Sequence, residues 1–248
     1  MKEVNLLDML KSGLHFGHKT SKWHPKMAPF IFGSKNDVHI IDLEKTKEKL
    51  EAAATVAKDL TAQGKTVLFV GTKRQAKPLV EKYAVACGMP YVTERWLGGL
   101  LTNFENVSRL PKKLVRLKEQ KEKGELAKYT KKEQLEFDRE IAKLSRFVGG
   151  IESLNKMPDM MFVIDIAEEK TAIREAKSTS TPVMALVDSN TNPDNVAYPI
   201  PGNDDATKGI EYILQYMSAA ISEGKQSIPA APTTAPVGVR PMGVKLAA

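Results

Sequence analysis

One cysteine, Cys87, is all that these 248 residues contain. A lone thiol closes no internal bridge, which excludes a disulfide scaffold and points to a reducing compartment. No apolar run approaches the roughly 20 residues of a membrane span. Met1 leads into a charged amphipathic segment, so no signal peptide is expected either. There is no GxGxxG, and Gly71-Thr72-Lys73 lacks the second glycine of a Walker A loop, which leaves a nucleotide-cleaving site poorly supported. No Ser/His/Asp or Cys/His constellation stands out, so no enzyme is expected. No internal repeat is visible. What the chain has is an excess of positive charge, 37 Lys and Arg against 30 Asp and Glu, net +7. That balance favours a polyanionic partner such as nucleic acid.

The chain is organised around Val67 to Val70, an unbroken apolar run too short for a helix and rich in β-branched and aromatic residues. Such a run reads as a strand buried on both faces, which belongs in a parallel sheet covered by helices. Gly71 and Thr72 turn the chain. A helix follows with Ala76, Leu79, Val80, Tyr83, Ala84 and Cys87 on one face, stopped by Gly88. Further strands are expected at Pro90 to Thr93, Met160 to Ile164 and Val183 to Val187, with a proline-bearing edge strand at Tyr198 to Pro201. Asp42 caps a helix striped by Leu43, Leu50, Ala54, Ala57 and Leu60; Thr171 to Lys177 makes a short helix. The last helix is striped by Ile210, Ile213, Leu214, Met217 and Ile221 and closed by Gly224. Alternating strands and helices give an α/β three-layer sandwich with a parallel sheet of about five strands, the doubly wound class.

Residues 1–42 stand apart as an N-terminal helix with Leu6, Leu7 and Leu10 on one side, an irregular basic loop from Leu14 to Met27, and a β-hairpin turning at Gly33 to Asp37. Residues 43–103 and 149–224 form the sandwich. Between them, 104–148 carries two helical patterns, with Thr130 and Glu133 as a capping box at the start of the second. Each apolar stripe has roughly coiled-coil spacing, which implies an inserted antiparallel coiled-coil hairpin with little left to bury against the core. From Arg109 to Arg146 there are thirteen Lys and Arg against seven Asp and Glu. Residues 225–248 read as a disordered tail.

Several stretches carry recognisable chemistry. Gly71-Thr72-Lys73-Arg74 closes a strand and opens a helix, so its amides and two cations suit a phosphate, on an RNA backbone or, in the alternative reading, on a nucleotide held by a flavodoxin-like enzyme or sensor. An ordinary solvated turn explains it equally. Trp96, between Arg95 and the paired glycines before Asn103, stacks on a base or anchors the core. His15, His18 and His24 have no tetrahedral zinc spacing and suit backbone or phosphate hydrogen bonds better. Asp165, Asp188, Asp204 and Asp205 cluster at strand ends. A divalent ion, Mg or Zn, is open at Asp188, Asp204 and Asp205, against the plainer reading that they cap helices (Asp205 the last one) or pair with lysines. No cofactor is required.

Leu10 to His18, Trp23, Pro25-Lys26-Met27, Phe30 to Gly33, Val38 to Leu43, Phe69 to Lys73, Arg95 to Asn103, Pro158-Asp159, Phe162 to Asp165 and Ile200 to Asp205 together resemble the bacterial small-subunit ribosomal protein S-two family, from about Met9 to Gly224. The resemblance implies a flavodoxin-like sandwich with an inserted coiled coil. It also implies a structural component of the small ribosomal subunit that binds ribosomal RNA near the head–body junction and helps dock the mRNA-binding ribosomal protein S-one. The implied partners are ribosomal RNA, S-one and neighbouring small-subunit proteins, in the cytoplasm, with no membrane and no small-molecule substrate. The RNA-binding residues expected are His15, His18, Lys19, Lys22, Trp23, Lys26, Lys73, Arg74, Arg95, Trp96, Asn103, Arg109, Lys112, Lys113 and Arg116.

Overall fold

A computed structural model describes residues 4–227. Helix α1 (Leu6–Lys11) is capped by Asn5, whose Oδ1 accepts from the Leu7 amide at 2.9 Å. Strands β1 (Phe16–Lys19), β2 (Ile31–Lys35) and β3 (Val38–Ile41) follow, then helix α2 (Leu43–Ala62), β4 (Val67–Val70), α3 (Lys77–Ala86) and β5 (Tyr91–Val92). Helices α4 (Phe104–Val107), α5 (Arg109–Glu122) and α6 (Lys131–Val148) interrupt the alternation. It resumes with β6 (Met160–Ile164), α7 (Lys170–Ser178), β7 (Val183–Val187), β8 (Tyr198–Pro201) and α8 (Thr207–Gln226).

The five strands β4 to β8 make one wholly parallel sheet in the order β5-β4-β6-β7-β8, the flavodoxin-like arrangement. Because side chains alternate along a strand, each face collects its own core. Val67, Phe69, Phe162 and Leu186 face α2, α3 and α8; Leu68, Val70, Val163 and Ala185 face α7 and the connection from β5 to β6. Phe69 and Phe162 meet edge to face at 5.5 Å. Each such fully buried side chain contributes roughly 1.5–3 kcal/mol.

The second face corrects one expectation. Leu114 of α5 and Val148 of α6 are almost fully buried in its core, with Phe104, Val107, Ile141 and Leu144 packed against it. The root of the helical hairpin is therefore one wall of the sandwich. Its first arm is also interrupted: α4 ends at Val107 and α5 restarts at Arg109. Pro111 has no N–H to give to the Val107 carbonyl and its ring would clash with it, so the helix begins afresh with proline in its first turn.

Two further expectations change. Helix α8 runs through Gln226, so Gly224 does not stop it. Gly224 is instead where α8 crosses α2, since a Cβ there would overlap Thr61 Oγ1 and the Lys58 carbonyl. The boundary expected at residue 225 therefore falls inside α8, and residues 228–248, where the rest of that expectation falls, lie outside those described.

In the N-terminal region the stretch from Phe16 is not wholly irregular: β1 pairs antiparallel with β3, which pairs antiparallel with β2. The β2–β3 turn is only Asn36-Asp37, both with positive φ, the two-residue form that matches strand twist. Met9, not Leu6, Leu7 or Leu10, is the buried residue of α1, leaving those three leucines exposed.

Candidate nucleic-acid interface

The carboxyl edge of a parallel sheet is where folds of this class hold ligands, and here it is filled by the protein's own charges. The Lys73 ammonium, after β4, lies 3.2 Å from Asp165 Oδ2, 2.7 Å from Asp204 Oδ1 and 2.6 Å from Asp205 Oδ1. Burial alone would lower its pKa; the Asp204 and Asp205 carboxylates outweigh burial and raise it. The Thr72 amide donates to Glu169 Oε1 at 2.8 Å. Lys73, expected from the sequence to meet a phosphate, thus has its ammonium engaged by three carboxylates of its own chain. The same geometry removes the nucleotide reading of this turn.

The acids at this edge are accounted for in the same way. Asp165, at positive φ, accepts the Ala167 and Glu168 amides on Oδ1. Asp188 Oδ2 lies 3.0 Å from His18 Nδ1, which raises the His18 pKa. Asp204 is pushed up to about 7 by burial and by the Asp165 and Asp188 carboxylates. Asp205 does not cap α8, whose N-cap is Ala206 with no side-chain bond; it turns to Lys73. Among the described residues no three His, Cys, Asp or Glu side chains form a group that holds a metal, and an ammonium stands between the acids proposed for one.

His18 also anchors the N-terminal region: its amide donates to Ser189 Oγ at 2.8 Å, while the His24 amide donates to the Ser189 carbonyl. His24 Nδ1 accepts from the Lys26 amide, and Lys26 pairs with Asp194. His15 is half-buried, with its pKa lowered by burial. Trp23 is exposed beside His39, ring centres 5.1 Å apart. His18 and His24 hold local structure, and Lys19 and Lys22 extend from it exposed and free of any ion pair among the described residues.

Between β5 and α4, the loop from Arg95 to Asn103 is pinned by a residue that sequence reasoning missed. Glu175 of α7 accepts from Trp96 Nε1 at 3.1 Å and the Gly99 amide at 2.7 Å on one oxygen, and from the Leu101 amide at 3.1 Å on the other. The Thr102 amide and hydroxyl each lie 3.4 Å from that second oxygen. Burial alone would raise this carboxyl; the Gly99, Trp96, Leu101 and Thr102 donors overcome it and hold the pKa below the usual carboxylate range. The signal was present in the sequence, a glutamate between the buried Ile173 and Ala176 on the apolar face of α7. Trp96 itself is buried, so it is a core anchor and not a base-stacking platform, while Arg74, Arg95 and Asn103 are exposed.

On the hairpin, geometry sorts the cations. Lys113 pairs with Glu140, Lys121 with Asp138 at 2.8 Å, and Lys118 with Glu152 at 2.6 Å. Those lysines are neutralised by the hairpin and its root. Arg109, Lys112 and Arg116 on α5, one face at i, i+3 and i+7, are exposed with no ion pair among the described residues. Lys132, Arg139 and Lys143 are left equally free on α6, and none of them was singled out from the sequence. A second surface lies on the N-terminal region: Leu6, Leu7, Leu10, Phe32 and Ile40 line a groove of about 370 Å³, with Phe32 81% and Leu7 64% exposed.

Comparison with known proteins is consistent along the chain. The family model described as Ribosomal protein S2 matches residues 9–224. The chain is 47% identical to the small ribosomal subunit protein uS2 of Aliarcobacter butzleri, over 91% of this chain and 85% of that one. It is 47% identical to that of Sulfurimonas denitrificans, over 90% and 86%, and 46% identical to that of Nitratiruptor sp., over 90% and 84%.

Proposed function

The chain belongs to the ribosomal protein S2 family, structural components of the small ribosomal subunit and not enzymes, and from that premise we propose how it is held there. It binds small-subunit ribosomal RNA near the junction of head and body. The contacts are the unpaired cations Arg109, Lys112 and Arg116 of the hairpin, with Lys19, Lys22, Arg74 and Arg95 around the carboxyl edge. The observation that carries this reading is the division of charge: some hairpin cations are held in ion pairs with neighbouring acids, and others are exposed with no ion pair among the described residues. Released counterions then supply the affinity. The protein works on the ribosome in the bacterial cytoplasm; among the described residues no helix is long and apolar enough to cross a membrane.

The groove of Leu6, Leu7, Leu10 and Phe32 is the seat for a protein neighbour, ribosomal protein S-one in this reading. An exposed apolar patch of this kind marks an interface more often than a solvated face.

A potassium chloride titration of binding to a small-subunit ribosomal RNA transcript tests the first part. Arg109→Ala with Arg116→Ala should flatten the log–log slope by about 0.7–0.9 for each phosphate that is no longer neutralised. An unchanged slope would remove the hairpin from the interface. For the second part, Leu7→Glu with Phe32→Glu should abolish S-one retention while RNA binding persists.

A further inference from the structure

The loop that joins β5 to the hairpin is held by two different kinds of interaction. Leu100, Leu101 and Trp96 bury their apolar bodies against the second face of the sheet. Apolar contact is non-directional: it keeps the loop on the sheet without fixing the path by which the chain leaves it. Hydrogen bonds are directional, and those at this point converge on one carboxylate. Glu175 takes three well-formed bonds and two longer ones from Trp96, Gly99, Leu101 and Thr102, filling both oxygens. Its amide donors lie within the last residues before α4, and the Asn103 amide, next in the chain, is bonded to the Gly99 carbonyl at 2.7 Å.

The other polar ties at the root are more exposed. Arg146 reaches Glu94 through two nitrogens at 3.0 and 2.8 Å, and Lys118 reaches Glu152. Pairs of that kind are screened and contribute little. Direction matters because the free cations of α5 run outward from the root, with Arg116 seven residues beyond Arg109. At about 1.5 Å per residue, a rotation of some 20° at the root carries Arg116 roughly 4 Å. A cation displaced by that much leaves hydrogen-bond distance of the same phosphate.

We propose that Glu175 is the positioning residue of the RNA interface, setting the path of the Arg95–Asn103 loop so that Arg95 and the free cations of α5 meet one RNA surface together. This rests on the RNA-binding reading above. Glu175 itself touches no RNA. A glutamine at this position keeps the size of the side chain but turns an NH2 group toward backbone donors, so the bonds to one of the two oxygens cannot form.

The test compares the whole protein with Glu175→Gln on a small-subunit ribosomal RNA transcript, well below the melting temperature of both. Affinity and salt slope are measured and corrected for the folded fraction by circular dichroism. The variant should bind about tenfold more weakly, with a slope smaller by the amount that one or two neutralised phosphates supply. A purely structural role would change the folded fraction and leave both corrected quantities alone, and that result overturns the proposal. If Glu175→Gln does not fold, Trp96→Phe, which removes one donor and keeps the ring packing, must show the smaller slope; the wild-type slope there overturns the proposal equally. Failure of the unaltered protein to bind in a salt-dependent way would instead show that the RNA reading is wrong, and this inference would fall with it.

Discussion

Replacing Lys73 with methionine separates an internal cation from an RNA contact. The side chain is 18% exposed and faces three carboxylates, among them Asp204, which is 1% exposed. Removing one partner of such a buried network leaves uncompensated charge, at a cost of about 3–5 kcal/mol. For a chain of this size that lowers the melting temperature by roughly 6–20 °C. The loss should depend on pH. Asp204 has its folded pKa raised to about 7, so its contribution to stability is fully present below the unfolded carboxylate range and is lost as pH rises through 7. Lys73 opposes that rise, so without it the loss steepens. Melting curves of Lys73→Met and the unaltered protein should differ most at pH 8.5. At pH 5.5, where Asp204 neutralises itself, the difference should be about half as large. A drop below 1 kcal/mol, or one that is the same at both pH values, would refute the buried-network account. A variant of normal stability that binds RNA poorly would return Lys73 to the interface.

Two other substitutions test the packing. Gly224→Val should part α2 from α8, where the Lys58 carbonyl and Thr61 hydroxyl occupy the space of a Cβ, costing about 1–3 kcal/mol in a thermal melt; a melting temperature within a degree of the original would contradict that crossing. Replacing residues 104–148 with a glycine linker should abolish cooperative unfolding, because Leu114 and Val148 leave the second core, whereas shortening only the turn between α5 and α6 should not. Calorimetry of the two deletions side by side decides it.

The sandwich was legible because short unbroken apolar runs and period-3.6 stripes are local patterns. Val67–Val70, Met160–Ile164 and Val183–Val187 are buried strands, and the stripe from Ile210 to Ile221 faces the core as its spacing requires. What failed was mostly pairwise. The sequence shows Lys73 beside a glycine turn, but not that Asp204, more than a hundred residues later, comes within 2.7 Å. Gly224 looked like a stop because a glycine needed for close approach and one needed for a turn are the same letter; only the partner helix distinguishes them. In α1 the three leucines made the stronger pattern, yet Met9 is the residue turned inward. Charge counting found the basic hairpin, and only the fold divides its paired cations, such as Lys113 and Arg146, from its unpaired ones, such as Arg109 and Lys112.

The two borders of the parallel sheet are unlike its interior. One is β5, two residues long; the other is β8, which carries Pro199 and Pro201. An open border offers a ladder of amides and carbonyls on which a second copy can build, and long flat borders are where chains clump. Here the first ladder has too few rungs, and at β8 two donors are missing altogether. A second copy of the chain laid against β8 would find Pro199 and Pro201 where it needs amide donors, so this border is a poor template for sheet-to-sheet joining.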